Sequence, residues 1–401
     1  MTQNFNIYGI ISEFNPLHLG HEHLITRTKR AGATHIAAIM SGNFVQRGES
    51  ACFDKWVRTK AALSAGVDLV IELPLPWAIS GAQTFAQGGI ALANAIGCLN
   101  GLSFGSECGE IAPLAALANL LDTPAFAALL QRKLKTGISF AAARQSAVQA
   151  LTDAKTATLL EHPNNILAIA YCRALKQTDS QITPFTVKRT GASHNETGTP
   201  NHSIASSSQI RVLLAAKKNY QAYIPQSAYP YFAQAVQNNT APAALQYVQR
   251  AILAKLRTMS VEDFANLPDV SEGLEHRLYQ AAKSAVSLQE FYSAVKTKRY
   301  SHARIRRITL CAFLNVQAAH TLQPPPYLRI LGFAQKSKEL LSLLKQTATL
   351  PVITQYSQLQ TATPHARAMF ALESAATDLY NLTTPQPQPC GKEFTQGIIT
   401  V

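Results

Sequence analysis

Asn15-Pro16-Leu17-His18-Leu19-Gly20-His21 follows directly on the apolar run of residues 5–11, and its reading decides the fold. Ile7, Tyr8, Ile10 and Ile11 cluster ahead of a turn signal, which is the pattern of a strand. Asn15-Pro16 supplies the turn, because proline disfavours helix at the residue before it. A helix beginning near His21 and running through Leu24 and Ile25 towards Arg30 completes a strand–turn–helix unit. Amides at a helix start are unpaired and carry the positive end of the helix dipole, so they attract phosphate. Gly20 leaves room for a base or phosphate to approach the backbone. His18 and His21 then donate to phosphate oxygens as charge builds up during transfer. A histidine at a helix start also serves as a plain cap, so the four-residue pattern draws its weight from context.

At 401 residues the chain exceeds the usual single-domain size, and two domains are expected. No apolar run approaches the roughly 18–20 residues of a membrane span. The start, Met1-Thr2-Gln3-Asn4, lacks the basic and apolar parts of a signal peptide. Six scattered cysteines form no C-x-x-C pair, which argues against a zinc site or a disulfide framework. A reducing cytoplasm fits that usage. The net charge is +13, and its distribution is uneven. Residues 1–200 hold 16 Lys+Arg against 13 Asp+Glu, a balance of +3; the remainder holds 20 against 10, a balance of +10. A small-molecule enzyme needs no such asymmetry, whereas a second half lying on a polyanion does.

Strands alternate with helices through the first half: residues 35–40, 68–73 and 101–106 read as strands, and Asp54 as the cap of the helix carrying Trp56 and Leu63. A long alanine-rich helix is expected over about 77–96, and a last strand over 184–190. This alternation predicts an α/β fold, a Rossmann-like parallel sheet covered on both faces. Ligands in such sheets bind beyond the carboxyl ends of the strands, so the loops after Ile11, Met40, Leu73 and Phe104 are expected to converge. Residues 191–202 read as a polar loop. Ser206, Ser207 and Ser208 open the next helix, as a cap or as a second phosphate cradle with Arg211. Beyond about 215 strand signals fade. Residues 219–230 read as a linker, followed by helices near 239–258, 273–285 and 287–295. Residues 296–307 form the densest basic stretch, interleaved with Tyr300 and His302, and suit RNA phosphates. The expected division is an α/β domain over 1–215 and a mainly helical, basic domain over 216–401.

These motifs agree with one family. The H-x-G-H pattern is that of the nucleotidyltransferase superfamily, and the chain resembles the bacterial tRNA(Met) cytidine acetate ligase family within it. The resemblance rests on Ser12-Glu13-Phe14-Asn15-Pro16-Leu17-His18-Leu19-Gly20-His21, on Met40-Ser41-Gly42-Asn43-Phe44-Val45-Gln46-Arg47-Gly48-Glu49, and on Gly66-Val67-Asp68-Leu69-Val70-Ile71-Glu72-Leu73-Pro74. Phe104-Gly105-Ser106-Glu107, Pro163-Asn164-Asn165-Ile166-Leu167, the run 272–277 and Lys296-Thr297-Lys298-Arg299-Tyr300 continue it in order. Leu17 and Leu19 depart from the phenylalanine and asparagine usual in that family.

The resemblance implies that ATP and acetate form acetyl-adenylate, and that the acetyl group passes to the wobble cytidine of elongator tRNA(Met), giving N4-acetylcytidine. It implies His18 and His21 as the catalytic pair. Its ATP contacts would fall on Ile11, Ser12, Glu13, Phe14, Asn15, Pro16, Leu17, His18, Leu19, Gly20, His21, Glu22, His23 and Leu24, and on Gly105, Asn164 and Arg189. Mg²⁺ is expected to come with the nucleotide; no metal ligand set, membrane contact or obligate protein partner is read. Two alternatives stand beside this reading. A small-molecule adenylyltransferase would use the same histidines but leaves the basic second half unexplained. A non-catalytic RNA-binding protein would not need His18, Gly20 and His21 intact.

Overall fold

The computed structural model describes residues 5–189, 204–271 and 273–401; the loop expected over 191–202 lies outside them. Ten strands are described: β1 (Ile7–Ser12), β2 (His35–Ser41), β3 (Phe44–Val45), β4 (Glu49–Ser50), β5 (Leu69–Leu73), β6 (Gly101–Ser106), β7 (Thr183–Lys188), β8 (Leu328–Phe333), β9 (Val352–Ile353) and β10 (Ile399–Thr400). The main sheet runs β10-β8-β5-β2-β1-β6-β7, with β9 on β8, and β3 and β4 form a separate hairpin. From β5 to β7 all pairings are parallel. The chain builds outward from β1 through β2 to β5, then crosses back to β6 and β7 on the other side. The reversal lies between β1 and β6, where a doubly wound sheet opens its ligand crevice.

The apolar runs are continuous because both faces of the sheet are covered. Ile7, Ile11, Ile39 and Ile71 pack with Phe85 and Ile90 on one side. Ile10, Ile36, Met40 and Val70 pack with Ile25, Trp56 and Leu63 on the other. Asp54 caps the helix Lys55–Ser64 as expected, accepting from the Val57 amide at 2.7 Å. The helix expected over 77–96 is broken: Leu75–Ala78 and Ala82–Ile96 are separate, because the Ser80 hydroxyl folds back to the Trp77 carbonyl and Gly81 opens the second helix.

The second half is helical through residue 313, but it does not stay clear of the sheet. Strand β8 pairs antiparallel with β5, setting Arg329 opposite Glu72, and β9 and β10 pair with β8. The expected linker at 219–230 is packed rather than loose: Tyr220, Ile224 and Ala228 are buried in the same cluster as Phe53 and Trp56. The helices Gln249–Thr258, Leu274–Ser284, Leu288–Val295 and His302–Phe313 share a core with Phe44, Leu75 and Ile79. The end of β5 thus faces those helices, and the loop after Leu73 does not reach the crevice. Among the described residues no single helix is long and apolar enough to cross a membrane.

Candidate functional site

The first helix spans Leu19–Arg30, with His18 as its N-cap in extended backbone. It starts two residues before the expected point because both histidines complete its end. His18 Nδ1 accepts from the Gly20 amide at 3.0 Å, and His21 Nδ1 accepts from the His18 amide at 3.2 Å. Each bond requires an unprotonated Nδ1, so in both neutral rings the proton sits on Nε2. The rings lie 3.9 Å apart between centroids, and Phe14 meets His21 edge-on at 5.1 Å. Gly20 also has a reason that was not expected. A Cβ there would come within 2.8 Å of His18 Cε1, so its absence admits the His18 ring to its capping position.

This end of the helix opens into a cleft at the carboxyl ends of β1, β6 and β7. Ile11, Ser12, Glu13, Phe14, Asn15, His18, Gly20, His21, His23 and Leu24 line it, as do Gly105, Asn164 and Arg189. Pro16, Leu17, Leu19 and Glu22 do not; Leu17 is wholly buried in the core beside Phe14 and Ile25. Ser206, Ser207 and Arg211 close the opposite wall. Ser206 does cap its helix, accepting from the Gln209 amide at 3.2 Å, and Arg211 Nη1 donates to the Asn15 carbonyl at 2.9 Å. The cap reading holds, and the capped end faces the cleft. Glu107 accepts from Asn164 Nδ2 at 2.6 Å and from the Asn165 amide at 2.9 Å, fixing the start of the helix Pro163–Gln177. Arg189 runs across Gly105, where a Cβ would stand 3.2 Å from Arg189 Cγ.

Gln46, Arg47, Phe85, Phe104, Tyr171 and Lys188 also line the cleft and were not singled out from the sequence as site residues. Arg47 sat inside a quoted motif; Tyr171 showed only helical periodicity. Among the described residues lining the cleft, Arg47, Lys188, Arg189 and Arg211 bring four cationic side chains against one carboxylate, Glu13. Burial pushes the Glu13 carboxyl above its ordinary value, against the Gln46 amide and the Arg211 and Arg47 guanidiniums. Burial lowers both Arg47 and Arg189. Among the described residues no three His, Cys, Asp or Glu side chains converge on a metal position.

A buried guanidinium braces the loops around this cleft. Arg58 donates to the carbonyls of Glu13 at 2.7 Å, Ser41 at 3.0 Å and Phe53 at 2.9 Å, and to that of Gly42. The hairpin β3–β4 then carries the chain onto the helix His302–Phe313. Gly48 turns there with φ +73°, and a Cβ would lie 2.5 Å from the Arg307 amide nitrogen. Gly48→Ala is accordingly expected to destabilise the protein by about 2 kcal/mol or more, from left-handed backbone and from displacement of the helix. The midpoint of urea unfolding checks it. Within the basic stretch, Arg304 donates to the Asp269 carbonyl at 2.9 and 2.6 Å and Arg306 to Glu49 at 2.9 Å. Lys298 and Arg299 are exposed.

Residues 5–394 match the model of the HIGH nucleotidyl transferase family. The tRNA(Met) cytidine acetate ligase of Thermoanaerobacter sp. (strain X514) is 38% identical over 401 residues, covering 98% of this chain and 99% of that protein. The protein of the same name from Acetivibrio thermocellus is 35% identical over 412 residues, covering 98% and 99%. The crystal structure of apo Thermotoga maritima TmcAL superposes with a TM-score of 0.94 at 30% identity, over 99% of this chain and 100% of that one. The form bound with α-thio ATP superposes with a TM-score of 0.92, over 99% of each.

Proposed function

Since the chain belongs to the HIGH nucleotidyltransferases, and within them to the tRNA(Met) cytidine acetate ligases, we propose that it activates acetate with ATP in the cleft beside His18 and His21. The acetyl group then passes to the wobble cytidine of elongator tRNA(Met). An acetate oxygen attacks the α-phosphorus, the bond to the bridging oxygen breaks, and pyrophosphate leaves with the electron pair. The exocyclic amine of cytidine then attacks the acetyl carbonyl, AMP departs, and the amine loses its proton. The observation that carries this reading is the pair of imidazoles whose Nδ1 atoms are both occupied by backbone amides. That arrangement presents two Nε2–H donors at the positive end of a helix, where charge on phosphoryl oxygens grows during transfer. Arg47, Lys188, Arg189 and Arg211 supply countercharge for a triphosphate. Mg²⁺, were it to accompany the nucleotide, would supply charge neutralisation; the protein's own contribution is the donors named here.

Residues 1–215 supply the nucleotide cleft in this reading, and the basic helices after 216 supply the RNA surface, with β8 to β10 tying the two together. Incubating the protein with ATP, labelled acetate and bulk tRNA tests the assignment. Label is expected on a cytidine base of one tRNA species, with AMP released. A lasting adenylylated small molecule, or label on no RNA, overturns it. Lys298→Ala is expected to weaken tRNA binding and to lower the slope of log K against log salt by about one, because an exposed lysine on phosphate releases one counterion. Binding measured across a salt series checks this; an unchanged slope removes Lys298 from the interface.

A further inference from the structure

We propose that Glu49 is a positioning residue, a counter-ion shared by the nucleotide cleft and the RNA-binding helix, which sets the two polyanions against each other. This rests on the reading above, that a triphosphate occupies the cleft and RNA phosphates the basic helix. The Glu49 carboxylate divides its two oxygens between two guanidiniums. Oε1 lies 2.9 Å from Arg306 Nη1 and Oε2 lies 3.5 Å from Arg211 Nη2. Arg211 lines the cleft and is anchored to the Asn15 carbonyl within the H-x-G-H turn. Arg306 stands on the helix His302–Phe313 with its side chain 38% exposed. The hairpin turn before Glu49 is pressed against the backbone of that helix at Arg306 and Arg307, so the backbone that carries the carboxylate is held beside both partners. Arg47, on the same turn, feels Arg211, Arg306, Glu13 and Glu49 together, so the cluster is three arginines around two carboxylates.

The sharing has a sign. A phosphate that draws Arg211 into the cleft leaves Arg306 as the ion-pair partner of Glu49 among the described residues, with Arg47 acting on it from farther away. An RNA phosphate that draws on Arg306 must then break that ion pair of the carboxylate. The second polyanion binds more weakly than the first, and linkage makes the penalty equal in both directions. Both ion pairs are partly exposed, so the factor is about two- to fivefold. Departure of pyrophosphate returns Arg211 to Glu49 and releases Arg306. RNA capture is thereby favoured after activation of the acid rather than before it.

The test measures tRNA affinity of the full chain with and without α,β-methylene-ATP, and nucleotide affinity with and without tRNA. The analogue is expected to weaken tRNA binding about two- to fivefold, tRNA to weaken analogue binding by the same factor, and Glu49→Gln to bring both ratios to one. Arg306→Met, at the exposed end of the cluster, is expected to bring the ratios to one as well, and serves if the first variant folds poorly. General repulsion between two polyanions, or a merely structural role for Glu49, would leave the wild-type ratio in Glu49→Gln; that result overturns the proposal, as does a wild-type ratio of one or the opposite sign. Failure of the analogue alone to bind the wild-type chain would overturn the reading of the cleft itself, and it is seen without any RNA present.

Discussion

His18→Asn is expected to leave the protein folded, with an unfolding midpoint near that of the wild type, while slowing acetyl-adenylate formation about a hundred- to a thousandfold. Two roles meet in this side chain. As N-cap it accepts from the Gly20 amide, and asparagine is among the strongest N-cap acceptors, so the helix start is kept. As a donor it offers Nε2–H on the far side of the ring, where the shorter asparagine does not reach. Loss of one donor at a site of developing oxyanion charge costs about 3 to 4 kcal/mol of transition-state stabilisation. His21→Ala removes a donor and half of the capping box together, so it is expected to lower both rate and stability. Comparing the two variants by acetate-dependent ATP–pyrophosphate exchange and by thermal unfolding separates capping from catalysis. Near-native exchange in His18→Asn would reduce the imidazole to a cap and end its catalytic assignment.

Local chemistry made the first half of the fold legible. Ile7, Ile10 and Ile11 sit before Asn15-Pro16, Asp54 stands at a cap, and the strand run 69–73 ends at Pro74; each rule acts within a few residues. One wall of the cleft was legible for the same reason, since His18, Gly20, His21 and Asn15 are neighbours in sequence and remain so in space. What escaped was made by contacts between distant residues. Strand β8 has an ordinary apolar pattern, and nothing in it says that it runs antiparallel to β5 or sets Arg329 opposite Glu72. Arg58 reads as one more helical arginine until the carbonyls of Glu13, Ser41 and Phe53 are seen around it. The ion pair between Glu49 and Arg306 spans 257 residues, beyond any local rule. Lys188 reaches the cleft because its strand ends there, and Tyr171 because the middle of the helix Pro163–Gln177 lies along the cleft wall.

The buried charges under β5 and β8 lead to the second large effect. Lys55, wholly buried, places its ammonium 2.7 Å from Glu72 and 2.6 Å from Glu393, and Arg329 pairs with Glu393 as well. Nearby, Tyr327 donates to Glu373 at 2.6 Å. Counted with Glu373 protonated, two cations balance two anions, and the cluster is neutral. Lys55→Met leaves two buried carboxylates short of a partner and is expected to destabilise the protein by about 3 to 5 kcal/mol. Glu373 behaves oppositely. Burial, with repulsion from Glu72, raises its carboxyl from 4.5 to about 7, against the pull of Lys55 and Arg329. A raised carboxyl binds its proton more tightly in the folded chain, so its stabilisation is complete below about pH 4.5 and is lost as pH rises through 7. Glu393 moves the other way: burial would raise it, but Lys55 and Arg329 outweigh burial and hold it at about 2, so its contribution is constant from pH 6 to 8. Stability is therefore expected to fall by about 1 kcal/mol between pH 6 and 8 on account of Glu373. Glu373→Gln keeps an acceptor for Tyr327 without a charge to bury, and is expected to remove that part of the fall. Urea unfolding of the wild type, Lys55→Met and Glu373→Gln at both pH values decides the matter. An unchanged pH dependence in Glu373→Gln, or a loss under 1 kcal/mol in Lys55→Met, would contradict a neutral cluster built on a protonated Glu373.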